Sequence, residues 1–269
     1  MIISILGYNG FIGTHISKEL ENNHKIIKIN SRKINYKLNE NEIFEFLSKY
    51  IKDSDLIINS CANLKPKSKN DFFINENLSK IIQNYLIKNN LNTHLFHIST
   101  INVLIENRID NYTKTKLLSE KNLKSNNVSI IRLPFITNLN ENDDNKGNLK
   151  IFYNYLNKGF FPFYPMISPG NLYSPINIKS FCFFLKNIIE NKNYKKVYNL
   201  MGKEKKTLWD LFLKVSKIKN KKAVKINTSL ISNILPEFLK KIILKRSDFL
   251  SQIIGIDHTQ IKENNITYL

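Results

Sequence analysis

Apolar and polar positions alternate in two rhythms through the first half of the chain. Short, β-branched apolar runs at Met1 to Leu6, His24 to Asn30, Asp55 to Ser60, His94 to Ser99 and Val128 to Leu133 read as buried strands. Between them the apolar residues recur at helical spacing. Ile16 and Leu20 mark a first helix, Asn39 to Tyr50 a second, Asp71 to Lys88 a third and the segment from Tyr112 a fourth. A strand and helix series of this kind predicts a parallel sheet covered by helices on both faces, joined by right-handed crossovers. Ligands then bind outside the carboxyl ends of the strands.

Beyond Leu139 the texture changes. Asn138 to Asn148 is polar and reads as a loop, and Phe152 to Pro175 is rich in aromatics and proline. A short strand at Ile176 to Ile178, a helix at Lys179 to Ile189, a strand at Lys196 to Leu200 and a helix from Thr207 follow. Helical patterns at Ser229 to Ile243 and Ser247 to Ile256 come last. The pattern predicts an α/β protein: a doubly wound parallel sheet over residues 1–140, and a small C-terminal α/β substrate lobe with terminal helices over 141–269. The aromatic stretch is a candidate lid, although Phe160, Phe161, Phe163 and Tyr164 read mostly as lobe core.

Glycine placement sharpens this picture. Of eight glycines in 269 residues, Gly7, Gly10 and Gly13 fall in one seven-residue window between the first strand and helix. Such a turn needs one glycine to bend sharply, one to let a pyrophosphate approach the backbone and one to let helix and strand pack closely. The helix N-terminus then offers N–H groups and a positive dipole end to the phosphates. Gly7, Asn9, Gly10, Phe11, Ile12 and Gly13 are therefore candidate cofactor contacts in a Rossmann-type fold.

Other strand ends point to the same place. The second strand ends Asn30, Ser31, Arg32, where many NAD sites carry a carboxylate for the ribose. With Arg32 available to bind a 2′-phosphate, NADP is expected in preference to NAD. Cys61, Ala62 and Asn63 follow the third strand and Pro134 the fifth, completing the candidate cofactor contacts. The fourth strand ends Ser99, Thr100. Tyr112 and Lys116 leave one face of the following helix, four residues apart. An ammonium near a phenol favours the phenolate, so Tyr112 could exchange a proton with a carbonyl or alcohol oxygen that Thr100 holds. Thr100, Tyr112 and Lys116 are the candidate catalytic residues.

Composition removes several other classes. A net charge of +19 raises nucleic acid or an anionic membrane as partners, but the lysines are dispersed among acidic and apolar residues. The chain reads as a lysine-rich solvated surface that favours an anionic small molecule, with no nucleic acid partner and no membrane insertion. No apolar run of about 18 residues occurs, and the start lacks a secretory pattern. Cys61 and Cys182 stand far apart, fit no metal spacing and suit a reducing compartment, so a cytoplasmic location is expected.

Taken together, these residues resemble the extended short-chain dehydrogenase/reductase family of nucleotide-sugar epimerases, dehydratases and reductases. Gly7, Gly10 and Gly13 match its GxxGxxG, DLIINSCA (residues 55–62) its third-strand motif, and Thr100, Tyr112 and Lys116 its Ser/Thr, Tyr and Lys. Asn75 fits the asparagine of its next helix, Arg132-Leu133-Pro134 its Arg-x-Pro, and Val197 to Leu200 its C-lobe strand. FHISTINV and YTKTKLLSE are most similar to reductases of 4-keto sugars. Dehydratases of the family follow the Thr with Asp-Glu, where this chain has Ile101 and Asn102. Departures are Leu6 in place of Thr and a short segment between Thr100 and Tyr112. The resemblance implies a nucleotide-sugar substrate contacted by Asn75, Thr100 and Tyr112, with hydride delivered from NADPH whose nicotinamide ribose Lys116 holds as a cofactor contact, and dimerisation through Asp71 to Lys88 and Tyr112 to Ser125. An epimerase that keeps its cofactor and a non-catalytic NADP-binding sensor or scaffold remain alternatives.

Overall fold

The computed structural model describes residues 1–106, 110–138, 147–158, 163–227, 261 and 265–269. Its first half runs β1 (Ile2–Leu6), α1 (Phe11–Leu20), β2 (Lys25–Ile29), α2 (Glu40–Ile51), β3 (Leu56–Asn59), α3 (Lys69–Glu76), α4 (Leu78–Lys88), β4 (His94–Thr100), α5 (Asn111–Asn122) and β5 (Val128–Leu133). The second half runs β6 (Ile136–Thr137), α6 (Lys150–Lys158), β7 (Tyr164–Ser168), β8 (Leu172–Tyr173), β9 (Ile176–Asn177), α7 (Ile178–Asn191), β10 (Val197–Met201), β11 (Lys206–Thr207), α8 (Leu208–Ile218), β12 (Ala223–Asn227) and β13 (Ile266–Tyr268).

Seven of these strands form one sheet in the order β2-β1-β3-β4-β5-β10-β13. Every neighbouring pair in it is parallel. From β1 the chain steps outward to β2, then crosses back to β3 and continues towards β13. The carboxyl ends of β1 and β3 therefore flank the crevice where connections leave on opposite faces, which is where open α/β sheets hold ligands.

Alternation along the strands gives the sheet two apolar faces. Ile3, Ile5, Phe96 and Ile98 pack with Ile16 and Leu20 of α1 and Phe181 and Leu185 of α7. Ile57, Leu95 and Ile130 pack with Ile43 and Leu47 of α2 and Ile82 and Leu86 of α4. Helix α5 covers the same face but buries Thr113, Thr115, Lys116, Ser119 and Glu120. Its contact with the sheet is made of polar groups that must find partners inside the protein.

Three differences from the sequence expectations follow from long-range packing. The helix predicted over Asp71 to Lys88 begins at Lys69, where Ser68 and Asp71 form a capping box, and is divided at Asn77. Its first part lies against α5 and its second against α2. The segment from Ile178 to Met201, assigned by pattern to the lobe, contributes α7 and β10 to the large sheet instead. β10 pairs with β5 through Val197 and Ile130, and Phe181, Cys182, Leu185 and Ile189 of α7 cover the sheet beside α1. β13 extends that edge and had no signal in the sequence pattern.

What remains of the lobe is α6, β7, β8, β11, α8 and β12 around Leu149, Phe152, Tyr153, Tyr164, Tyr173, Leu208 and Phe212. Tyr164 is thus core, as expected, whereas Phe163 is half exposed. Phe160, Phe161 and the helical patterns predicted between residues 229 and 256 lie outside the described residues. No helix among the described residues is long and apolar enough to cross a membrane.

Candidate active site

A cleft of about 340 Å³ opens at the carboxyl edge of the sheet, between it and the lobe. Its first wall is backbone. Gly7 turns the chain at φ +79°, in the left-handed region, and its carbonyl accepts the Gly10 N–H at 2.9 Å. Gly10 caps α1 without a side chain, and no acidic residue stands in the first turn. A Cβ on Gly13 would lie 2.2 Å from the Gly7 oxygen, so helix and turn approach as closely as they do only because position 13 is glycine. Ser60 fastens the other side of this turn, its Oγ donating to the Leu6 carbonyl at 2.7 Å. The result is a bare helix N-terminus with Gly10, Phe11 and Ile12 on the cleft, a surface suited to a dinucleotide's phosphates.

The second wall comes from β4, α5 and β5. Thr100 ends β4 almost buried, with its Oγ1 accepting the Asn102 N–H at 3.3 Å. Tyr112 stands in the first turn of α5, which Asp110 caps through the Thr113 N–H at 2.9 Å and the Thr113 hydroxyl at 2.8 Å. One turn on, Lys116 is fully enclosed, and its Nζ donates to the Ile98 carbonyl at 2.7 Å. Burial lowers the Lys116 ammonium to about 8, while Cys61 and Glu120 act in the opposite sense. Pro134 and Phe135 complete this wall after β5.

The cleft brings together Gly10, Phe11, Ile12, Ala62, Thr100, Tyr112 and Pro134 of the predicted residues. Gly7, Gly13 and Lys116 stand behind its surface as supports. Cys61 is also buried, and this pushes its thiol up to about 11 against the opposing effects of the Ser31 side chain, to which it is hydrogen-bonded, and Lys116. Asn9 is exposed at the tip of the glycine turn. Ser31 and Arg32 lie in a short 3-10 turn at the end of β2, where the Asn30 side chain accepts the Arg32 N–H at 3.2 Å. Arg32 is exposed, and that turn contains no acidic side chain.

Asn63 and Asn75 are tied to each other and to their neighbours beside the cleft. Asn63 lies off the cleft lining, its amide donating to Asp71 at 2.7 Å. Asn75, from which a substrate contact was expected, is 1% exposed and turned to the loop after β3 and to α5. Its Oδ1 accepts the Asn63 N–H at 2.8 Å, and its Nδ2 donates to the Asn63 carbonyl at 2.9 Å and to Thr115 Oγ1 at 3.2 Å. Thr115 in turn donates to the Tyr112 carbonyl at 2.9 Å. Asn75 thereby links the loop after β3 to the turn that carries Tyr112.

The cleft also contains residues the sequence reading passed over: Leu64, Asn102, Phe135, Lys150 and Tyr173. Asn102 and Phe135 adjoin Thr100 and Pro134 and could have been found from that proximity. Tyr173 lay within the aromatic stretch, and Lys150 carried no signal. Ile101 is fully buried and Asn102 is neutral, so the two positions after Thr100 place no carboxylate for an elimination.

No family model matches the chain, and no curated protein matches it in sequence. Solved structures do. A hypothetical dTDP-4-dehydrorhamnose reductase from Sulfolobus tokodaii is 24% identical, with a TM-score of 0.63 over 84% of this chain and 86% of that one. A dTDP-4-dehydrorhamnose reductase from Clostridium acetobutylicum is 19% identical, with a TM-score of 0.68 over 86% and 85%. One from Bacillus anthracis, in complex with NADP, is 16% identical with the same TM-score and coverage. At these identities the likeness is one of fold: the chain shares with these structures a Rossmann-type α/β fold built on a parallel sheet.

Proposed function

We propose that the protein is an NADP-dependent oxidoreductase that reduces the ketone of a nucleotide-linked sugar, of the 4-keto-6-deoxy type. The observation that carries this reading is the convergence of Thr100 and Tyr112 on the same cleft as the bare α1 N-terminus, with the Lys116 ammonium buried one turn behind Tyr112. The NADP in the Bacillus anthracis structure supports the choice of cofactor, and the exposed Arg32 supports a 2′-phosphate over a free hydroxyl.

The glycine turn would hold the pyrophosphate. A reduced nicotinamide held there would be the source of hydride for the carbonyl carbon. Tyr112 gives its phenolic proton to the carbonyl oxygen as that bond becomes a hydroxyl, and Thr100 Oγ1 hydrogen-bonds the same oxygen. Lys116 favours the phenolate left on Tyr112 until a solvent proton replaces the one transferred.

The test is nicotinamide absorbance when the protein meets NADPH, then NADH, with a panel of dTDP- and UDP-linked 4-keto sugars. Stoichiometric loss with NADPH is the expected result. Conversion of a sugar without net loss, followed by NMR, would replace this reading with an epimerase. No conversion of any sugar would leave a binding protein without this catalysis.

A further inference from the structure

Beneath the cleft, on the α5 side of the sheet, lies a buried polar chain that the proposed reaction does not use. Glu120 stands one turn beyond Lys116 on α5, with its side chain 4% exposed. Its Oε2 accepts from Arg132 Nη2 at 2.7 Å and Nε at 3.1 Å, and its Oε1 accepts from Arg132 Nε at 3.2 Å and from the Ser99 hydroxyl. Arg132 Nη1 donates onward to Asn199 Oδ1 at 3.2 Å. One carboxylate therefore joins α5, β4 and β5, and through Arg132 it reaches β10.

Those are the elements that carry the cleft residues. Ser99 immediately precedes Thr100, Arg132 lies two residues before Pro134, and Glu120 shares its helix with Tyr112 and Lys116. The groups acting on Lys116 are few. From the β3 side comes the Cys61 thiol, which burial keeps neutral. From β4 comes His97, fully buried and held well below the usual imidazole range, hence also neutral. Asp71 of α3 is engaged with Asn63 and Ser68. Arg132 of β5 is turned to Glu120. Besides the Ile98 carbonyl that takes its Nζ hydrogen bond, the groups that favour the ammonium are the neutral Cys61 thiol and Glu120, which stands in an ion pair with Arg132.

We infer that Glu120 is a positioning residue for the site: clamped by Arg132 and Ser99, its carboxylate keeps Lys116 charged in the protein interior and fixes α5 against the strand ends that present Thr100 and Pro134. This rests on the reductase reading for its catalytic consequence but not for its electrostatic one. The ammonium is the working form, so activity falls as pH rises through the Lys116 value. Removing the carboxylate lowers that value and moves the alkaline limb of the rate profile to lower pH.

The test compares the full-length protein with Glu120→Gln/Arg132→Gln, which removes both charges and so leaves neither one buried alone. Lys116 is followed by the pH dependence of its 13Cε resonance, assigned by its loss in Lys116→Met. The expected result is a titration at least about half a pH unit lower in the double variant, with the alkaline limb of kcat displaced in parallel. Glu120→Asp, which keeps the charge, is expected to retain most of the wild-type titration. Should the Gln pair not fold, Glu120→Met/Arg132→Met is read in the same way. An unchanged Lys116 titration in a folded double variant, or a shifted titration with an unmoved kcat profile, overturns the inference. The titration needs no substrate, so absence of turnover in wild type would reject the proposed reaction while the resonance still decides the role of Glu120.

Discussion

The two walls of the cleft are built on opposite principles. Around Gly7, Gly10 and Gly13 the wall is shaped by missing side chains, and its polar surface is the backbone of a helix start. Across from it, α5 meets the sheet through Thr115, Lys116, Ser119 and Glu120, all buried, and the wall is shaped by side chains whose charges and hydrogen bonds must be satisfied internally. The first wall should therefore be broken by adding an atom, the second by removing one. That contrast suits a division of labour in which one side accommodates a cofactor and the other manages a proton.

The largest expected effect is on the second wall. Arg132→Met leaves the Glu120 carboxylate buried without its cation, which should cost about 3–5 kcal/mol of stability. Denaturant unfolding at neutral pH measures it. A variant with near wild-type stability at neutral pH would mean that the pair is solvated in solution. On the first wall, Gly13→Ala places a Cβ 2.2 Å from the Gly7 carbonyl, and neither backbone can yield without opening the turn. About 3 kcal/mol of destabilisation is expected, with loss of NADPH binding by calorimetry. Retained binding would show that the turn does not cradle the cofactor.

Tyr112→Phe tests the chemistry rather than the architecture. It removes one hydroxyl from the cleft and should lower turnover at least about a hundredfold, about 2.7 kcal/mol of barrier, with NADPH binding unchanged. Equal loss of binding and turnover would mean that Tyr112 holds the ligand instead of protonating it.

How much of this was legible depends on the range of the interactions. The β1 turn and the Tyr112 and Lys116 pair are local patterns, readable because a strand, three glycines and a helix face are each set within a few residues. The hydrogen bonds of Asn75 were not legible because its partners, Asn63 and Thr115, are 12 and 40 positions away. Nothing local separates an amide that clamps a loop from one that meets a substrate. The same holds for β10, whose apolar run fits either a lobe or a sheet edge until its pairing with β5 is known, and for β13, three residues long. Lys150 reaches the cleft only because the lobe folds back over the strand ends, a fact of tertiary packing.

The smallest effect sharpens the comparison at the outer end of the first wall. Arg32 follows β2 on an exposed 3-10 turn, and the one side-chain cap in that turn is the Asn30 amide, which holds the backbone N–H of Arg32 and leaves the guanidinium to solvent. A guanidinium bonded to a phosphate is worth about 1.5–3 kcal/mol when partly enclosed, and solvent and salt reduce this at an exposed site. Arg32→Ala should thus raise the KM for NADPH about tenfold, about 1.4 kcal/mol, and leave that for NADH unchanged, since no carboxylate is gained to favour the free ribose hydroxyl. The effect should fade with added salt. If both cofactors weaken together, Arg32 supports the turn and the 2′-phosphate is read elsewhere. If neither changes, the neighbouring exposed Lys33 becomes the cation to test, and the first wall discriminates between cofactors by a charge the glycine turn does not position.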